Sequence, residues 1–200
     1  MSASADLGFL GGPVLEVAPR LLGAVLRHGD VAVRLTEVEA YDGANDPASH
    51  AYRGQTPRSS VMFGPAGHLY VYFTYGMHHC CNVVCGETGR ASAVLMRAGE
   101  VVDGLETARG RRPGADDVAL ARGPALLCRT LHIELAQNRV DLTAGDVTLT
   151  PASETPRTVQ TGPRVGVRHG ADLPWRFWLA GEPTVSTHRS ASVRRPRVGR

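Results

Sequence analysis

The sequence predicts a single mixed α/β (α+β) domain, built as a curved, largely antiparallel β-sheet or open barrel that is flanked by helices and carries a protruding β-hairpin. Three observations lead there. Strand-like and helix-like runs both occur, without the regular βαβ alternation of a doubly wound parallel sheet. Two aromatic, β-branched runs meet at a Tyr-Gly pair, the pattern of a hairpin. No repeat or linker divides the 200 residues, and 42% hydrophobic content suffices for one sizeable core.

Taken in order, PVLEVAPRLLGAVLR (13–27) has apolar helical spacing broken by Pro19, which predicts a helix starting near that proline and running into Leu22. VAVRLTEVEAY (31–41) begins in strict alternation and reads as a strand. HLYVYFTYGMHHCCNVV (68–84) gives two strands joined near Tyr75-Gly76, and ASAVLMRAG (91–99) a further one. GLETARGRR is helical, followed by a polar loop through Asp116 and Asp117. Gly123-Pro124 opens another helix, with proline at the favoured first position and Ala125, Leu126, Leu127 and Leu131 behind it. Residues 151–163, with Pro151, Pro156 and Pro163, read as a loop, and RVGVRHG and WRFWLAG as the last strands.

The formal charge is +3, but residues 1–187 carry 17 arginines against 19 acids, and HRSASVRRPRVGR (188–200) adds five arginines and no acid. This divides the chain into a domain over 1–187 and an arginine-rich, disordered tail over 188–200 that is able to track phosphates. Every one of the 22 basic residues is arginine, so no lysine amine is available as a covalent nucleophile. MSASADLG lacks a basic-then-apolar leader, and no apolar run nears the roughly 20 residues of a bilayer span. A cytoplasmic protein without a membrane partner is expected. Cys80, Cys81, Cys85 and Cys128 are not spaced as a disulfide framework and read as reduced thiols.

Period-two counting along 31–41 puts Val31, Val33, Leu35, Glu37, Glu39 and Tyr41 on one face. Two carboxylates then continue an apolar face into the interior or a cleft, where each needs partners. Alternatively the strand bulges after Leu35 and both acids are surface charges; the pattern leaves both readings open. Tyr75 at a hairpin tip has little core to fill and suits a wedge entering a base stack, whereas core packing is the ordinary role of a tyrosine. Tyr70 and Tyr72 alternate with Leu69, Val71 and Phe73, so one aromatic face can line a pocket. HHCCNVVC suggests a metal, but strand neighbours point to opposite faces and Cys81 and Cys85 lie about 13 Å apart at ~3.3 Å per residue. No metal is expected.

Taken together, TEVEAY (36–41), DPASHAYRGQTPR (46–58), MFGPAGHLYVYFTYGMHHCCNVV (62–84), VLMRAGE (94–100), GLETAR (104–109), ARGPALLCRTLHI (121–133), RVGVRHG and WRFWLAG resemble the alkyladenine (3-methyladenine) DNA glycosylase family in content and order. The resemblance spans most of the chain and excludes the tail. It implies a monofunctional base-excision repair enzyme that flips alkylated purines out of double-stranded DNA and hydrolyses the N-glycosidic bond. No cofactor and no lyase activity are implied, and a monomer is expected. By resemblance Glu39 activates water, Arg97 helps hold it, and the Val165 backbone carbonyl contributes. Tyr41 and His50 sandwich the flipped base, Tyr72 completes the pocket, Asn82 crowds guanine's exocyclic amine, and Tyr75 fills the gap in the duplex. A non-catalytic reader of alkylated DNA, or an RNA-binding or formyltransferase-type accessory domain on a similar sheet, remains the alternative.

Overall fold

The computed structural model describes residues 6–154 and 158–188. Its elements are α1 (Val14–Arg20), β1 (Val25–His28), β2 (Val31–Tyr41), β3 (Leu69–Thr74), β4 (His78–Val84), β5 (Ala93–Asp103), α2 (Leu105–Arg111), β6 (Ala121–Arg122), α3 (Pro124–Leu131), β7 (Val147–Thr150), β8 (Val159–Gly162) and β9 (Arg176–Leu179). The strands form one open sheet in the order β3-β4-β5-β2-β1-β7, with β6 added to β5 and the β8–β9 pair added to β2. Pairing is antiparallel throughout these strands, and the expected sheet stays open rather than closing into a barrel.

The helices cover one face. Val14, Val17 and Ala18 of α1, Ala108 of α2, and Leu127, Cys128 and Leu131 of α3 share a core with Val71, Cys81, Val83, Val94 and Met96 of the sheet. Period two sends the alternate residues of the same strands to the opposite face. Tyr70, Tyr72, Cys80, Asn82, Leu95 and Arg97 gather there around a cavity.

β2 carries the decisive irregularity. Its pairing with β5 shifts register between Leu35 and Val38, so Val31, Val33 and Leu35 share the core with Val38 and Ala40. The bulge switches the parity of the strand and frees Glu37, Glu39 and Tyr41 to face the other way. It also splits the outer edge of β2 between β1, over Val31–Arg34, and β9, over Glu37–Glu39. Gly99 of β5 lies against this site, where a Cβ would stand 2.3 Å from the Arg34 carbonyl oxygen, so only glycine lets the strands approach.

Several expectations need correction. The first helix begins at Val14 after Pro13, and Pro19 sits in its last turn. There a missing N–H costs little, because the chain is already leaving through i→i−3 bonds from Leu21 to Ala18 and Leu22 to Pro19. RVGVRHG is a loop rather than a strand, since Arg164 and Val165 bond to Asp46 and Glu39 instead of to a neighbouring strand. The proline-bearing stretch 151–163 contains β8, and the short strands β1 and β7 lacked a readable pattern. All but the first residue of the arginine-rich tail lies outside the described residues.

Candidate active site

Glu37 and Glu39 are both fully buried, so the surface-charge reading fails although the bulge it invoked is real. Buried carboxylates need donors, and each has its own set. The Glu39 Oε1 accepts the Val165 backbone N–H at 2.7 Å and lies 3.3 Å from Arg97 Nη1. Its Oε2 accepts the Tyr41 hydroxyl at 2.9 Å. Glu37 accepts Arg97 Nε at 2.9 Å, Arg176 Nε at 2.6 Å, and both the Ser186 backbone N–H and hydroxyl. The two guanidinium cations, first Arg97 and then Arg176, hold the Glu37 carboxyl below the usual carboxylate range despite its burial.

Arg97, buried to 6% exposure, thus bridges the two acids from β5. Burial acts against its charge, and Glu39 and Glu37 more than restore it. Burial, reinforced by Glu39, pushes the Tyr41 hydroxyl well above its ordinary value and keeps it a donor.

Tyr41, Arg97 and Val165 form one wall of a cavity of about 390 Å³, with Glu39 directly behind them. That volume falls in the range of about 300–1,000 Å³ typical of small-molecule sites. The facing wall is aromatic. His50 meets Tyr72 edge-on with centroids 4.6 Å apart, Tyr70 lies 5.6 Å from Tyr72, and the Tyr70 hydroxyl is 3.0 Å from His50 Nδ1. Desolvation of the inner edge of His50 by this packing, with help from the Arg58 cation, pushes its pKa down to about 4, although its outer edge stays open. Asn82 is fixed by donating from Nδ2 to the Tyr70 carbonyl at 3.0 Å.

Tyr75 stands at the cavity's rim on the β3–β4 turn, 87% exposed. Its φ of 51° and that of Gly76, 68°, give the left-handed backbone that type I′ turns require. A bulky residue there is strained, and strain of this kind gathers at functional sites. Phe73 and Met77 beside it are also exposed, so the tip is apolar as well as prominent.

The structure therefore brings Glu39, Arg97, Tyr41 and Val165 together around one carboxylate, and places His50, Tyr72, Asn82 and Tyr75 around the adjoining cavity. Val165 reaches Glu39 through its N–H, whereas the resemblance pointed to its carbonyl. Sequence reasoning missed the anchors. Buried Arg164 clamps Asp46 with two bonds, at 2.5 and 2.8 Å, and lies 4.6 Å from the Tyr41 ring centre. Arg176 and Ser186 complete the set around Glu37. Within the metal-like string, Cys81 and Cys85 join the core while Cys80 lines the cavity, and all four cysteines are free.

A family model described as Methylpurine-DNA glycosylase (MPG) matches residues 8–183. A protein of Streptomyces avermitilis is 53% identical over 200 residues, covering 95% of this chain and 94% of its own. One of Frankia casuarinae is 51% identical over 208 residues, covering 98% and 97%, and one of Nocardia farcinica 54% over 196 residues, covering 90% and 92%. Each relative bears the name "Putative 3-methyladenine DNA glycosylase". Fold, site and these likenesses together define a DNA glycosylase, a hydrolase of N-glycosyl bonds. The chain belongs to the methylpurine-DNA glycosylase family and is a base-excision repair enzyme for alkylated bases. Among the described residues no helix is long and apolar enough to cross a membrane.

Proposed function

We propose that the enzyme flips an alkylated purine, such as 3-methyladenine, out of duplex DNA into the 390 Å³ cavity, where Glu39 activates the attacking water. The observation that carries this reading is the convergence of Tyr41, Arg97 and the Val165 N–H on one buried carboxylate behind an aromatic-lined wall. A purine alkylated at its 3 or 7 position is cationic and leaves readily. The C1′–N bond breaks with its electron pair staying on the base, while water forms the C1′–O bond and gives its proton to Glu39. The carboxylate also stabilises the positive charge that develops on the sugar.

The surrounding groups have separable tasks. Arg97 fixes the carboxylate, and because Glu37 and Glu39 balance Arg97 and Arg176, this wall presents no net positive charge to a cationic base. Tyr41 and Tyr72, over which Arg164 and Arg58 already lie at 4.6 and 5.0 Å, offer that cation their remaining faces, and His50, uncharged above a pKa of about 4, does not repel it. In the free enzyme the Tyr41 hydroxyl donates to Glu39 Oε2, which keeps a second lone pair for water. The Val165 carbonyl holds the water from the other side, Asn82 crowds an exocyclic amine, and Tyr75 stacks into the space the nucleotide leaves. With no lysine in the chain, the product is an intact abasic strand. The same reading takes the enzyme as a monomer that acts in the cytoplasm on double-stranded DNA.

The test is incubation with duplexes that each carry one defined alkylated purine, in the presence of a chelator. Free base, an intact abasic strand and no adduct trapped by borohydride are expected. Tight lesion binding without release of base would make the protein a damage reader, a trapped adduct would make it a lyase, and zinc-restored activity would make it a metalloenzyme.

A further inference from the structure

Two loops meet behind the site. The segment after β2, holding Asp46 and His50, supplies part of the aromatic wall, and the segment before β9, holding Arg164 and Val165, supplies the N–H that meets Glu39. A single ion pair joins them. Arg164 Nη1 and Nη2 bond the two carboxylate oxygens of Asp46 at 2.5 and 2.8 Å, and Nη1 also donates to the Ala40 carbonyl at 3.0 Å. Asp46 Oδ1 in turn accepts the Ala48 N–H at 3.0 Å, which sets the course of the chain toward His50. The guanidinium lies between two rings, 4.6 Å from the centre of Tyr41 and 5.2 Å from that of Trp175.

As a stabilising device this is a poor choice. Both charges are fully desolvated, and Arg164 Nε is buried without a partner among the described residues. A buried ion pair with an unsatisfied donor contributes little that well-packed apolar side chains would not. What apolar packing cannot supply is direction. The planar fork fixes the Asp46 carboxylate, the Ala40 carbonyl and the Tyr41 ring in one plane-referenced frame, one residue from the N–H that holds Glu39.

We propose that Asp46 and Arg164 are the positioning pair of the reaction, setting the Val165 N–H and the Tyr41 ring relative to Glu39 without touching substrate themselves. The inference rests on Glu39 being the base, so Glu39→Gln runs beside it in every assay. The pair acts chiefly on the step after capture. Loosening it slackens the aromatic wall somewhat and costs the carboxylate its registry with the sugar more, since misplacement by about 1 Å is enough to cost ~100-fold in rate.

The experiment is single-turnover base release against enzyme concentration, normalised to the folded fraction read by circular dichroism. It uses Arg164→Lys, which keeps the charge but loses the fork, and the double variant Asp46→Leu/Arg164→Met, which removes both charges and folds even if the single variant does not. For a folded variant the maximal release rate is expected to fall about 10- to 100-fold, a larger factor than the accompanying rise in the half-saturating concentration on lesion duplex that displacement of Tyr41 and His50 brings. Release per folded molecule within about twofold of the parent, or a loss confined to half-saturation or to the folded fraction, would overturn the proposal. If Glu39→Gln releases base at the parent rate, the assignment of the base fails instead, and the two failures are told apart within one data set.

Discussion

Glu37 and Glu39 sit two residues apart on the same strand, both at zero exposure, both in contact with Arg97, yet their surroundings differ in kind. Glu37 is pinned. Two guanidinium groups and the Ser186 hydroxyl crowd its Oε1, the Ser186 backbone N–H bonds its Oε2, and of these donors only Arg97 lines the cavity. Glu39 is held by one backbone N–H, one arginine at 3.3 Å and one tyrosine hydroxyl, and the groups that touch it are themselves the cavity wall. A carboxylate pinned between two arginines is a counter-ion. One whose three donors, Tyr41, Arg97 and Val165, all line the cavity is the one placed to meet water there.

The comparison breaks most readily at Glu37. Glu37→Gln strips the counter-ion from two buried arginines, and unfolding by urea should show a loss of about 3–5 kcal/mol. A loss below about 1 kcal/mol would place Glu37 with weakly coupled surface ion pairs and erase the distinction.

Tyr75 supplies the next test, because it is as exposed as the carboxylates are buried. Tyr75→Ala should weaken binding to lesion duplex by about 1–3 kcal/mol, the range for aromatic stacking on bases, while the unfolding midpoint stays put. Unchanged affinity would leave the strained, bare tyrosine without a task.

The smallest effect concerns acid stability. Glu37 has a lowered folded pKa, so the stability it contributes is present above the ordinary carboxylate value and is lost as pH falls through the lowered one. His50 is pushed down from 6.5 to about 4, so the unfolded chain takes up its proton first and stability declines as pH falls across that interval. His50→Gln should flatten the decline between pH 6.5 and 4 and leave the Glu37-linked loss at lower pH intact. An unaltered slope would show that His50 is not desolvated by the tyrosines.

Much of this was legible in the sequence, for reasons that differ by region. The hairpin announced itself because aromatic and β-branched residues flank Tyr75-Gly76, and α3 because proline opens it. Four-residue strands such as β1 and β7 are too short for periodicity to register, and RVGVRHG mimics a strand although its polar groups serve Glu39 and Asp46. On β2, alternation placed Glu37 and Glu39 on one face correctly but joined them to the wrong apolar residues, since a bulge leaves no mark in composition. The residues that line the cavity, Tyr41, His50, Tyr72, Asn82 and Tyr75 among them, were readable through family likeness. Asp46, Arg164, Arg176 and Ser186 were not, because a buried ion pair joining residues 118 apart in the chain looks locally like two loop charges.

In the proposed mechanism Glu39, and not Glu37, takes the proton from water. The direct test is Glu39→Gln at saturating enzyme on a duplex with one alkylated adenine, with release of base and duplex affinity measured separately. The amide keeps the size of the side chain, its oxygen still accepts the Val165 N–H and its NH2 donates to the Tyr41 oxygen, so the duplex should still bind. The lost negative charge favours the phosphates while leaving Arg97 less balanced toward the cationic base. Base release should fall by about 100- to 10,000-fold, the usual toll of losing acid–base catalysis. Release at the parent rate would contradict the account and send the search for the base to the other carboxylate.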